Sequence, residues 1–316
     1  MRGPPFPIVG GGEQHLEKEK IMTAHDDAIT GPVRHPRNLS ARAAGTIHDD
    51  ATATSLGFRG GTVAGSIHMD QFPPLLVEAF GSRWFESGSL SLYFRHATVD
   101  GEPVTALLGR PPAGEPDAQV PASAITADGT LVAEGTAAAG NPRQVSALRS
   151  RDLRAVDPAE LRILRGLRPG DTIGDCQVKA DGERQRSVIE QNAMTEPLAW
   201  YTGNSPWGGP IAAPSTVVSM LYADLLAGLR DTMGRHVGLF GAIEIRFPGG
   251  PVFLDRTYRV TGEIVAVSQT PKTEVLWFDS HAMDEAGRPT AEMRMMLRQM
   301  KQSSPLYADE AATLSP

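Results

Sequence analysis

The chain repeats itself weakly but in order, and this repeat limits its architecture more than any local pattern. Residues 58–64 (FRGGTVA) resemble residues 206–212 (PWGGPIA), and their paired glycines lie 148 positions apart. The match continues with Phe94 on Phe247, 153 positions apart, and with Gly129 on Gly287, 158 positions apart. Loop insertions in the second copy would make the spacing grow in this way. Since copies of one unit fold alike, the sequence predicts two similar halves.

Both copies show the same succession of elements. An apolar helix is expected at residues 66–80 and again at residues 215–229. Strands are expected at 89–95, 104–108 and 120–125 in the first half, and at 242–247, 257–267, 274–280 and 290–297 in the second. Ile243, Ile245 and Phe247 alternate with charged residues, which is typical of a sheet with one buried face. A buried helix before antiparallel strands predicts an α+β fold whose sheet wraps over the helix.

These patterns divide the chain into five segments. Residues 1–37 are predicted to be an N-terminal arm, residues 38–142 the first half, residues 143–168 a charged linker, residues 169–302 the second half, and residues 303–316 a tail. Within the linker, residues 158–161 (PAEL) predict a short helix.

Composition excludes several classes of function. A net charge of -7, from 30 basic and 37 acidic residues, provides no positive field for nucleic acid. The single cysteine, Cys176, excludes an intrachain disulfide and a zinc site of several thiolates. No apolar run is long enough for a membrane span and no signal pattern opens the chain, so we expect a cytoplasmic protein without a membrane partner. No His, Asp or Glu residues have ligand spacing for a metal, and neither a metal nor another cofactor is predicted.

Three segments of the first half carry a family resemblance. Residues 45–50 (GTIHDD) and 56–65 (LGFRGGTVAG) resemble the signature of MaoC-like dehydratases and (R)-specific enoyl-CoA hydratases. Residues 92–102 (LYFRHATVDGE) are similar to the strand and turn that follow in that family. The resemblance implies a hotdog fold, and two copies imply a double hotdog. It also implies hydration of a 2-enoyl thioester, or the reverse dehydration, on an acyl chain carried by coenzyme A or a carrier protein.

The same resemblance implies a set of site residues. In the family an Asp and a His handle the water and its proton, while backbone N–H groups at the start of the central helix polarise the thioester carbonyl. His48 is then the acid/base. The residues implied to line the acyl site are Gly61, Thr62 and Gly65 in the first half, or Gly209 and Pro210 in the second. Pro210 has no N–H, so an oxyanion donor in the second half would have to come from a neighbour.

The sequence also departs from the family. Ala43 stands where the family has its Asp, and Ala64 stands where it has a His before the last glycine. Two residues of the second half are candidates for the missing helper. An ungapped alignment places Glu196 opposite His48, whereas the family-like register places Tyr201 at the His position and Glu196 at the Asp position.

Other polar residues have structural interpretations. Asp49 and Asp50 are expected in turn or cap roles, and His68 and Asp70 in the core or between the halves. Two further functions stay open: an acyl-thioester-binding protein without turnover, and a hotdog thioesterase or cyclase in which Asp70 or Asp224 faces an acyl-binding tunnel beside the central helix. Exposed sheet edges also leave room for a homodimer of double hotdogs.

Overall fold

The computed structural model describes residues 28–314, and a single antiparallel sheet of ten strands forms its centre. The first half contributes β1 (Ile29–Thr30), β2 (Gly88–Phe94), β3 (Val104–Leu108), β4 (Gln119–Thr126) and β5 (Leu131–Ala139). The second half contributes β6 (Thr172–Lys179), β7 (Val237–Arg246), β8 (Thr257–Gln269), β9 (Thr273–Met283) and β10 (Pro289–Met300). The predicted α+β class, with one sheet-and-helix unit in each half, is confirmed.

Short helices and one long helix accompany the sheet. They are α1 (Asp50–Ser55), α2 (Gly65–Met69), α3 (Pro73–Phe80), α4 (Trp84–Ser87), α5 (Gly182–Glu190), α6 (Pro214–Ala227), α7 (Arg230–Met233) and α8 (Ala311–Leu314). Short 3-10 helices lie at Pro158–Glu160, Ala199–Tyr201, Lys301–Ser303 and Pro305–Glu310. The helix predicted in the linker is the first of these.

A pseudo-two-fold axis relates the halves. From the centre outward, the strands run β2-β5-β4-β3-β1 in one half and β7-β10-β9-β8-β6 in the other. At the centre β2 pairs with β7, with Ser91 opposite Glu244, and Ser89 opposite Arg246. This register relates every residue of β2 to the residue 153 positions later, so the repeat found in the sequence is the symmetry of the fold.

The two central helices differ in length. Helix α6 is continuous and buries Val217, Leu221 and Leu225 against the sheet. The prediction of one helix over residues 66–80 is wrong, because α2 ends at Met69 and α3 begins at Pro73. Two consecutive prolines, Pro73 and Pro74, cause the break, since neither has an N–H to donate to the preceding turn.

The described structure includes parts of the segments predicted to be the N-terminal arm and the C-terminal tail. β1 pairs with β3 upstream of residue 38. Downstream of residue 302, the buried Tyr307 donates a hydrogen bond of 2.6 Å from its hydroxyl to Glu274. The rest of the two predicted terminal segments, residues 1–27 and 315–316, lies outside the described residues.

The linker crosses the face of the sheet opposite the helices. Leu148 donates its N–H to the Ser91 hydroxyl at 3.0 Å, beside the pseudo-two-fold axis. Next to it, Arg149 Nε contacts the fully buried carboxylate of Glu244 at 2.7 Å. The linker therefore covers the junction of the halves and leaves the helix side free to form a site.

Candidate functional site

The loop before α2 is held against His48 by backbone contacts. Thr62 donates its N–H to the Ile47 carbonyl at 3.0 Å. A Cβ atom on Gly61 would lie 2.1 Å from the His48 carbonyl oxygen, so only glycine allows this approach. Asp50 accepts the Gly61 N–H at 2.7 Å, which places it in the predicted turn role. We call residues 61–66 the first helix start.

One hydrogen bond of the His48 ring fixes the tautomer of its neutral form. Its Nδ1 lies 2.7 Å from the Thr62 carbonyl oxygen. Because a carbonyl only accepts, Nδ1 carries the hydrogen and Nε2 keeps its lone pair in the neutral ring. The half-buried ring therefore offers a base at Nε2.

Free backbone donors lie next to this base. Ala64 caps α2 without any side-chain hydrogen bond. Within residues 28–314, the N–H groups of Ala64, Gly65 and Ser66 donate to no protein acceptor. Unpaired N–H groups at the start of a helix are ready donors for an oxygen that gains negative charge.

Two cavities meet at His48. The larger cavity measures about 790 Å³ and the smaller about 340 Å³. Four residues line both: His48 and Ala64 from the first half, and Tyr222 and Phe240 from the second. The candidate site is thus composite, with its base on one half and part of its wall on the other.

The larger cavity has a basic lining. Its charged side chains are Arg95, Arg230, Arg235, Lys272 and Arg298, and no described lining residue is acidic. Arg230, Arg235 and Lys272 form no ion pair or hydrogen bond through their side chains within the described part of the chain. In a protein of net charge -7, this local excess of cations favours an anionic ligand.

His68 also lines this cavity, but it serves the structure. Its Nε2 lies 2.7 Å from the Thr98 hydroxyl, and Gln71 donates to its Nδ1 at 3.2 Å. Burial lowers the pKa of His68 to about 4, so the ring is neutral near pH 7. Asp49 caps α1 through the N–H of Thr52, as predicted.

The second half repeats the same backbone pattern with other side chains. Ile211 donates its N–H to the Trp200 carbonyl at 3.0 Å, which is the bond that Thr62 makes to Ile47. Tyr201 consequently occupies the position of His48, as the family-like register predicted. The helix starts correspond at a spacing of 149, so the spacing of 148 is wrong by one residue. In this register Pro210, which has no N–H, stands opposite Gly61.

At the second helix start, residues 210–215, none of the three positions equivalent to Ala64, Gly65 and Ser66 has a free backbone N–H group. Ala213 donates its N–H to the Gln185 side chain at 2.8 Å, Pro214 has none, and Ser215 donates to Asp70 at 2.8 Å.

Burial raises the pKa of Asp70 to about 7. Tyr201 is fully buried, and its hydroxyl meets no hydrogen-bond partner among the described residues. Burial, and secondly the charge of Asp70, raise the pKa of Tyr201 well above its ordinary value.

The remaining candidates lie in different places. Thr62 and Gly65 line the larger cavity, and Gly61 stands behind it against His48. Glu196 is paired with Arg34, and it lines neither cavity. Tyr201, Gly209 and Pro210 are likewise absent from both linings. The geometry thus brings neither expected helper to the cavities beside His48.

Sequence reasoning missed Tyr222 and Phe240. Tyr222 lies on α6 beside the apolar stripe that predicted this helix, and Phe240 lies on β7. Neither belongs to a family motif, and each reaches the site only because the halves pack together.

Within residues 28–314, no group of three or more His, Cys, Asp or Glu side chains could hold a metal ion. No helix in this range has the length and apolar character needed to cross a bilayer.

Solved structures share the architecture. A protein from Chloroflexus aurantiacus named for a MaoC dehydratase domain superposes with a TM-score of 0.58 and 14% identity, covering 86% of this chain and 95% of its own. A conserved hypothetical protein of Mycobacterium tuberculosis with a double hotdog fold superposes with a TM-score of 0.54 and 15% identity, covering 88% and 98%. A MaoC-like dehydratase superposes at 0.50 and 11%, covering 89% and 99%. No family model matches the chain, and no curated protein matches its sequence. The chain has the double hotdog fold, as the resemblance implied.

Proposed function

We propose that this protein is an acyl-thioester enzyme that adds water to a 2-enoyl thioester or removes it from a 3-hydroxyacyl thioester. One observation carries the proposal: His48, with a free Nε2, and Ala64, with an unpaired N–H, line both cavities, and Gly65 and Ser66, whose N–H groups are also unpaired, each line one of them. A base and an oxyanion site side by side are what this addition requires.

The chemistry follows from those two groups. His48 Nε2 takes a proton from water while the water oxygen bonds to the β-carbon of the enoyl thioester. The electron pair of the double bond then moves toward the carbonyl oxygen, where the N–H groups of the first helix start stabilise the enolate. The imidazolium returns its proton to the α-carbon, which restores His48. Dehydration is the same sequence reversed.

The basic lining supports an anionic carrier for the acyl group. Coenzyme A and the phosphopantetheine arm of carrier proteins both bring phosphate to a thioester. Arg230, Arg235 and Lys272 have no acidic partner within residues 28–314, so a phosphate would give these cations one. Their attraction should weaken as salt is added, because exposed charges are screened.

Turnover of a thioester panel tests the proposal. Purified protein is incubated with 2-enoyl-CoA and 3-hydroxyacyl-CoA substrates of increasing chain length, and products are separated by chromatography. A thiol reagent in parallel reports free CoA, which would reveal hydrolysis instead.

A pair of histidine variants sharpens this test. His48→Ala should abolish turnover, whereas His281→Ala removes a ring on β9 that lines neither cavity and should retain it. Interconversion that persists in His48→Ala, or no interconversion of any substrate by the unaltered protein, would reject the proposal.

A further inference from the structure

The wall shared by the two cavities holds a second polar group besides His48. Of the four residues that line both cavities, only His48 and Tyr222 are ionisable. Tyr222 lies on α6 of the second half, so its phenol and the imidazole reach this junction from opposite halves.

The ring of Tyr222 has a defined orientation. It packs edge-on against Phe240, with 5.3 Å between the ring centroids and an angle of 86° between the planes. Such a T-shaped pair is a favourable geometry for aromatic rings. The Tyr222 hydroxyl makes no hydrogen bond to any residue that the structure describes.

The phenol is available as a donor. Burial raises the pKa of Tyr222, against the opposite influence of Arg184 and Arg230, so the hydroxyl keeps its proton at neutral pH. A neutral phenol can donate a hydrogen bond to one oxygen and accept one from another group.

The site needs such a group. The neutral imidazole of His48 presents only a lone pair at Nε2, and the backbone N–H groups are fixed near the start of α2. Ala43 supplies no carboxylate, and Glu196 is held by Arg34. A donor from the second half would hold the oxygen that adds or leaves while His48 moves its proton.

We propose that Tyr222 is a catalytic residue whose hydroxyl donates a hydrogen bond to the oxygen added to, or released from, the β-carbon. In hydration, His48 Nε2 takes one proton of the water, and the oxygen, held by Tyr222, forms the C–O bond. Tyr222 keeps its own proton throughout, and the proton on His48 goes to the α-carbon. This role rests on the proposed hydration or dehydration.

Tyr222→Phe tests the role, since it removes the hydroxyl and keeps the ring against Phe240. We expect kcat to fall about 100-fold, the size typical for loss of one preorganised donor. KM and the calorimetric affinity for a saturated acyl-CoA should stay within about threefold, because ring packing and the basic lining persist. Tyr258→Phe is the matched control: this buried phenol contacts the Phe253 backbone and lines neither cavity, so its kcat should stay within about twofold.

Tyr222→Leu separates chemistry from packing, and thermal unfolding of each variant shows whether the fold is intact. Unchanged kcat in Tyr222→Phe together with loss in Tyr222→Leu would assign Tyr222 a packing role and overturn the proposal. Equal losses in Tyr222→Phe and Tyr258→Phe would overturn it as well. If the unaltered protein converts no thioester, the proposed function fails and this role fails with it. Turnover that is indifferent to the Tyr222 hydroxyl rejects this role alone.

Discussion

The two helix starts have the same pattern of backbone hydrogen bonds but differ in which N–H groups remain unpaired. In the first half, the Asn38 side chain donates to the His48 carbonyl at 2.8 Å and accepts the Ser40 N–H. In the second half, Gln185 makes the corresponding bond to the Tyr201 carbonyl at 3.2 Å, and its oxygen accepts the Ala213 N–H. The Asn38 side chain therefore accepts an N–H outside its helix start, whereas the Gln185 side chain accepts the Ala213 N–H of its own helix start.

Asp70 extends the difference across the junction of the halves. This first-half residue accepts the Ser215 N–H at the second helix start. The residue 149 positions later is Ser219, whose hydroxyl accepts from Arg184 on its own half, so the first helix start receives no matching contact within residues 28–314. After duplication, one copy of a site can become structural if buried side chains satisfy its donors, because unsatisfied buried donors are costly.

Exchanging the two ring residues should give the largest effect. His48→Tyr gives the first half the residue of the second, and a neutral phenol is a poor base, so turnover should fall about 1,000-fold or more. The reciprocal Tyr201→His should leave turnover nearly unchanged, since Tyr201 lines neither cavity. Steady-state kinetics on the best thioester checks both variants. Equal losses from the two exchanges would show that both helix starts serve the reaction.

The buried carboxyl of Asp70 should make stability depend on pH. Its pKa is about 7 in the folded protein, against 3.8 for an aspartate side chain that is fully solvated, so the folded state holds this proton more tightly. The stabilisation is complete below about pH 3.8 and is lost as the pH rises to about 7, by roughly 4 kcal/mol at about 1.4 kcal/mol per unit.

Asp70→Asn removes this titration. Because Asn can still accept the Ser215 N–H, we expect the variant to gain stability relative to the unaltered protein between pH 5 and pH 8. Urea unfolding at both values measures the gain, and Asp231→Asn, at an exposed site on α7, is the control. A difference that is the same at both pH values would mean that Asp70 does not titrate in this range.

Gln185→Ala should open the second helix start at a cost in stability. The fully buried Gln185 donates to the Tyr201 and Ile211 carbonyls and accepts from Ala213, so its loss leaves three backbone groups unpaired. We expect a decrease of about 3 kcal/mol in the free energy of unfolding. Asn38→Ala, beside the first helix start, should lower the free energy of unfolding by only about 1 kcal/mol, because its surroundings are more exposed. Urea unfolding checks the order of the two, and a larger cost for Asn38→Ala would reverse the comparison.

The sequence repeat predicted the features of the fold that the two halves share. The features that depend on packing between the halves could not be predicted from it. Tyr93 pairs with Glu134 in the first half, and Arg246 pairs with Glu292 in the second. Arg246 lies 153 positions after Tyr93 and Glu292 lies 158 positions after Glu134, which are the spacings read from the sequence. The strand β5 was not predicted, because its run LVAEGTAAA is rich in alanine and poor in strong strand formers. Its counterpart in the second half, β10, was predicted.

Within the candidate site, the sequence indicated only the cavity-lining residues that the first half contributes. His48, Thr62 and Gly65 follow from motifs within the first half, and all three line the larger cavity. Tyr222 comes from the other half, and a motif search along one copy does not reveal which residues face it. The ion pair of Glu196 with Arg34 also crosses between the halves, so it could not be read from one copy either.

Gly65→Ala should give the smallest effect. It compares the space next to the glycine of each helix start, which is tight at Gly65 and roomier at Gly209. A Cβ atom at this position would lie 2.6 Å from the Phe94 ring, which itself lines the larger cavity. The ring can shift, so the unfolding free energy should change by about 1 kcal/mol, while kcat/KM should fall about tenfold as Phe94 moves into the cavity. Gly209→Ala is the matched control, because its Cβ would meet Phe253 no closer than 3.7 Å, an ordinary contact. If Gly65→Ala left kcat/KM unchanged, the close packing of Phe94 on the first helix start would have no part in shaping the site.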